Sequence, residues 1–147
     1  MIQRIQSIWL LLASLLNSGL FFFNIYSAHQ IVNGTDMLVN MRVNGPNEFL
    51  LMLLDLAIIV LPLFTIFRFK NRKQQRSLVG LCIVADISFT AVMLMHIANY
   101  THQNPAPING SYGIASVLPT IALVFLFLAL KGINRDEKLV KSLDRLR

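Results

Sequence analysis

The sequence predicts an all-α fold: an antiparallel four-helix transmembrane bundle with a C-terminal cytoplasmic amphipathic helix. Three observations carry this. Of 147 residues, 55% are hydrophobic and only 14% charged, with a mean hydropathy of +0.61; a soluble domain carries about a quarter charged residues. Four apolar stretches, about residues 5–26, 49–67, 78–97 and 114–130, each approach the roughly 20 residues that cross a bilayer. The basic residues alternate between rich and poor connecting segments, as the positive-inside rule requires.

The apolar runs are continuous rather than alternating, so helices are expected, since lipid demands that backbone groups be satisfied internally. The first run could be a secretory signal. Its basic region holds Arg4 alone, and Tyr26-Ser27-Ala28 is a poor cleavage site, so it is read as a retained span. The whole chain, 1–147, then forms a single membrane domain. Arg42 alone lies between spans one and two. Arg68, Lys70, Arg72, Lys73 and Arg76 follow span two; none separates spans three and four; Lys131, Arg135, Lys138, Lys141, Arg145 and Arg147 follow span four. Both termini and the middle loop are therefore expected in the cytoplasm. The net charge of +6 is explained by membrane edges and anionic headgroups, without a nucleic-acid partner.

Asn33-Gly34 and Asn44-Gly45-Pro46 are turn signals, and Met37 to Val43 between them reads as a short surface strand or hairpin. The second outer segment, with Pro105 and Pro107, is expected to be irregular. Triplets beginning at Asn33, Asn99 and Asn109 fit the glycosylation pattern, a pattern frequent by chance. In the tail, Leu139, Leu143 and Leu146 recur at helical spacing, and Glu137 with Lys141 forms an i,i+4 pair. This predicts an amphipathic helix on the inner membrane surface.

The opening MIQRIQSIWLLLA, the basic FRFKNRKQQ after span two and the ending KGINRDEKLVKSLDRLR resemble a family of small bacterial membrane proteins. It is a domain of unknown function found mainly in Bacteroidota (domain of unknown function 4293). The resemblance spans the chain. It implies four spans in a bacterial inner membrane, demotes the glycosylation reading, and assigns no catalytic residue.

The residues that could carry chemistry are polar ones inside the spans. Asp55 and Asp86 come first, because a charged Asp at a span centre costs about 2.5–3.5 kcal/mol on insertion scales. At about 1.5 Å per residue, Asp55, Asp86 and Asn17 all fall in the middle third of the bilayer. No Lys or Arg lies within any span. At least one Asp is therefore expected to hold a proton at pH 7 and donate a hydrogen bond. One reading is a proton or cation site. The other is interhelical glue, an Asp bonded to Asn17 or a serine, and the small size of the protein favours it.

Ser7, Ser14, Asn17, Ser18 and Asn24 suggest one interior face of span one; Cys82, Asp86 and Thr90, then Ser116 and Thr120, repeat at i,i+4. Pro62 and Pro119 could kink their helices. His96, at the outer end of span three, reads as an interfacial histidine and Cys82 as a packing residue. Metalloprotease, hydrolase, phosphate-loop and paired-cysteine motifs are absent from the sequence. The expectation is an inner-membrane protein with no enzymatic activity, metal or cofactor. It would act through helix packing, its own copies or a membrane partner. The alternative is a small proton- or cation-coupled transporter using Asp55 and Asp86.

Overall fold

In the computed structural model, residues 2–32, 35–43, 45, 49–68, 71–102 and 108–144 are described, the side chains of 2–4, 32 and 140–144 excepted. The expectations for Asn33-Gly34, Asn44, Pro46, Lys70, Pro105, Pro107, Leu146 and the Glu137–Lys141 pair, and for the Leu143 side chain, lie outside these. Four helices, α1 (Ile2–Ser18), α2 (Phe49–Phe67), α3 (Arg72–Thr101) and α4 (Leu118–Asp144), dominate the chain. Three strands, β1 (Tyr26–Val32), β2 (Thr35–Met41) and β3 (Ile108–Tyr112), form a small antiparallel sheet in the order β2-β1-β3. The all-α expectation is thus corrected to a helical fold carrying a sheet.

The helices pack as a ring: α1 on α2, α2 on α3, α3 on α4 and α4 back on α1. Since the strands join α1 to α2 and α3 to α4, the sheet collects one end of all four helices. Segments α2, α3 and 114–139 are long and apolar enough to cross a membrane. The first expected span is shorter than predicted. Its helix stops at Ser18, a 3-10 turn follows over Gly19–Phe21, and Tyr26 already belongs to β1. Gly19 permits the close approach there: a Cβ on it would lie 2.9 Å from Leu118 Cδ1, at the start of α4.

The expected hairpin is longer than Met37–Val43. It pairs Tyr26 with Met41 through to Val32 with Thr35. The segment expected to be irregular instead supplies β3, with Tyr26 opposite Tyr112 and Ser27 opposite Ser111. Tyr26 is buried and meets Tyr100 of α3 and Tyr112 of β3 edge-on, at 6.2 and 5.6 Å between ring centroids. Such edge-to-face pairs favour the aromatic quadrupole, so one ring seats the sheet on the bundle.

The amphipathic tail, expected to be cytoplasmic, is not a separate element. No proline follows Leu130, and α4 runs unbroken to Asp144. Gly132 sits inside that run because it faces Gln6; a Cβ there would come 2.9 Å from Gln6 Cγ. Asn71 caps α3 by accepting from the Gln74 N–H at 3.2 Å, which satisfies one otherwise orphan donor. Pro62 lies inside α2, whereas Pro119 sits in the first turn of α4, where a missing N–H costs nothing. Ser116 bonds the Gly113 carbonyl at 2.7 Å and Thr120 is exposed, so this pair is not an interior stripe.

Gly113 donates its N–H to the Ile25 carbonyl at 2.8 Å, and a Cβ there would collide with the Asn24 carbonyl. Backbone has no rotamer to move aside. Gly113→Ala is expected to lower stability by more than about 2 kcal/mol, read as a fall in the thermal midpoint in detergent. Gly80→Ala, where a Cβ meets nothing within 4 Å, should not.

Candidate functional site

Apolar packing divides into two clusters. One, toward the sheet, contains Leu20, Leu51, Ile58, Phe89, Met93 and Ile97. The other, toward the opposite end, contains Leu10, Ala13, Val79, Ile83, Leu126 and Ile133. Asn17 stands on α1 between Ala13 and Leu20, and Asp86 on α3 between Ile83 and Phe89. A polar layer thus lies where the two apolar cores meet, at the midpoint of α3.

Asn17, Asp55 and Asp86 are each 0% exposed. The Asn17 amide donates to Asp86 Oδ1 at 3.2 Å. This bond crosses the ring diagonally, from α1 to α3. Asp55 stands on α2 within electrostatic reach of Asp86. Neither of its carboxyl oxygens has a hydrogen-bond partner among the described residues, nor do Asp86 Oδ2 and Asn17 Oδ1. The structure therefore joins Asn17 to Asp86 by a bond and places Asp55 beside them without one. Thr90 bonds back to the Asp86 carbonyl at 2.8 Å, closing its own helix turn rather than reaching the carboxyl. Among the described residues no group of three or more His, Cys, Asp or Glu side chains gathers at metal-ligand range.

Each seam of the ring also carries at least one polar tie. Ser14 of α1 donates to the Ile59 carbonyl of α2 at 2.9 Å. Thr65 of α2 meets Cys82 of α3 at 3.8 Å. Arg72 of α3 donates to the Asp136 carbonyl of α4 at 3.2 Å. Gln6 of α1 donates to the Asp136 carboxyl at 2.7 Å, both side chains buried. Of the stripe expected on span one, Ser14 and Asn17 face inward, Ser18 bonds the Leu15 carbonyl of its own helix, and Asn24 accepts from Arg42 beyond the helix. Gln6, Thr65, Arg72 and Asp136 were not singled out from sequence. The available signal was a polar side chain within or flanking an apolar run, which marks an inward face in Gln6 and Thr65.

The class is that of a small helical protein with three membrane-length apolar helices around a buried acidic layer. The chain belongs to the family Domain of unknown function (DUF4293), whose sequence model matches residues 2–146. No curated protein and no solved structure matches the chain.

Removing the two acids separately should give unlike results. Asp86→Val strands the buried Asn17 amide and is expected to cost about 1 kcal/mol, the scale of intramembrane hydrogen bonds. Asp55→Val removes a buried group without a partner and should leave stability unchanged or raised. Thermal unfolding of both variants in detergent micelles checks the contrast.

Proposed function

We propose that this is a non-enzymatic integral membrane protein whose Asp55–Asp86 layer takes up and releases a proton, coupled to movement of the helices. The observation that carries it is Asp55. A buried carboxyl kept for adhesion is hydrogen-bonded, whereas both Asp55 oxygens are buried and unpartnered beside a second acid. A group that adds no adhesion and still occupies the core fits a titrating role. A proton suits this layer better than a hard metal cation. Calcium takes about six to eight oxygen ligands, more than the five side-chain oxygens of Asn17, Asp55 and Asp86, whereas a proton needs one.

Membrane placement rests on composition and length. Helix α1 with its 3-10 turn spans roughly 31 Å, from 17 residues at about 1.5 Å and 3 residues at about 2 Å each. That is close to a hydrocarbon core of about 30 Å, so α1 serves as the fourth span. The distribution of basic residues supports an orientation with both termini and the α2–α3 connection in the cytoplasm and the sheet outside. A bacterial inner membrane is the location that the family resemblance suggests for this reading. Apolar clusters above and below the layer exclude a standing water file, so a proton reaches it only when one end of the bundle loosens.

A second reading keeps the protein as a scaffold for its own copies or a membrane partner. The diagonal Asn17–Asp86 bond and the tied seams favour it, because they make a rigid unit.

Proteoliposome flux separates the two. With a pH gradient and a pH-sensitive dye inside, wild type should exceed empty vesicles, and Asp55→Asn and Asp86→Asn should fall to the empty-vesicle level while staying folded. Equal flux in wild type and empty vesicles would favour the scaffold. Topology is checked separately: in a Cys82→Ser background, a cysteine at Thr35 should react with a membrane-impermeant thiol reagent on whole spheroplasts, and one at Lys73 only after lysis.

A further inference from the structure

Helix α4 carries a groove lined by Phe127, Leu130, Lys131, Asn134, Arg135 and Lys138. We propose that this groove binds one anionic glycerophospholipid. The headgroup would sit among Lys131, Arg135 and Lys138, and the upper acyl chain against Phe127 and Leu130. The inference rests on the membrane placement above.

The groove matches an amphiphile along its length. Phe127 is exposed, and with Leu130 it lies at the end of the apolar stretch; Lys131, Arg135 and Lys138 follow about one, two and three turns beyond Phe127. Positions 127, 131, 134, 135 and 138 share one helical face by the i, i+3, i+4 rule. Lys131, Arg135 and Lys138 are all exposed, and no ion pair joins them among the described residues.

The nearby acids are engaged elsewhere. Glu137 pairs with Arg76 at 3.3 Å, and Asp136 is buried against Gln6. The groove therefore keeps its positive charge. Asn134 supplies a second feature: it lines the groove and its buried Oδ1 has no donor among the described residues, an acceptor that a small side-chain rotation would offer to a headgroup hydroxyl such as that of phosphatidylglycerol. Each basic group near a surface adds to anionic-lipid affinity, and three around one groove localise that affinity to a site.

The test uses the full chain in phosphatidylcholine vesicles containing a minor fraction of phosphatidylglycerol, gently solubilised, with bound lipids counted by native mass spectrometry. Wild type should retain phosphatidylglycerol over phosphatidylcholine by about tenfold or more. Lys131→Gln/Arg135→Gln should lose that preference. Arg68→Gln/Lys73→Gln, which removes equal charge from the same side, should keep it. Equal loss in both pairs, or no preference in wild type, overturns the site. Displacement of the lipid by soluble glycerol phosphate also overturns it, since the headgroup alone would then be the ligand. Alkaline carbonate distinguishes the deeper failure. A chain stripped from the vesicles refutes the membrane placement and the groove together, whereas an inserted chain without lipid preference refutes the groove alone.

Discussion

The hydrogen bond from Asn17 to Asp86 joins two helices that are not neighbours in the ring. Helices α1 and α3 stand at opposite corners of the ring, so a bond between them fixes how far all four can separate at that level. The rotation of α3 about its own axis follows. With Asp86 turned inward, Cys82 and Phe89 also face the interior, and Val84, Ile87 and Leu94 face outward. An outward-facing apolar surface is what a hydrocarbon solvent requires, and one inward polar residue per helix is enough to orient the rest.

Burial of these groups also divides the core. Apolar side chains toward the sheet and apolar side chains toward the far end form separate clusters, with the polar layer between them. Protein interiors pack densely and respond to strain as a unit. A layer whose hydrogen bonding is incomplete is the natural place for the packing to change. Asp86 belongs to the fixed part of that layer through Asn17, and Asp55 to the part left open. Two carboxyl groups of identical chemistry thus differ because one has a partner.

Much of this was legible in the residues, for physical reasons. Hydropathy located the helices, since burial in lipid requires nearly uniform apolar runs, and polar residues within those runs marked the inward faces of α1, α2 and α3. The sheet was harder to see. The first apolar run passes through Phe21, Phe22 and Phe23 without a break, although the backbone leaves the helix at Ser18 where α1 meets α4. Strand β3 is Ile108-Asn109-Gly110-Ser111-Tyr112, poor in residues that favour strands. It forms because β1 offers it a free edge, and because Gly110 leaves room for the Tyr26 hydroxyl. The tail looked like a separate amphipathic helix because its composition changes at Lys131. Gly132 and Asn134 lower the helix propensity there, but packing of Gly132 and Asp136 against Gln6 of α1 carries α4 on.

The two ends of the bundle are built differently. At one end a hydrogen-bonded sheet clasps all four helices, with Tyr26 wedged between its strands and α3. At the other, the α2–α3 connection joins only two of them, and side-chain ties through Asp136 hold α1 and α4. A ladder of main-chain hydrogen bonds resists bending more than a few individual side-chain contacts do. The bundle is therefore mechanically lopsided, like a peg hinged at its sheet end. Separation of the helices at the end opposite the sheet would break side-chain ties alone, and the acidic layer lies midway along α3 between the two ends.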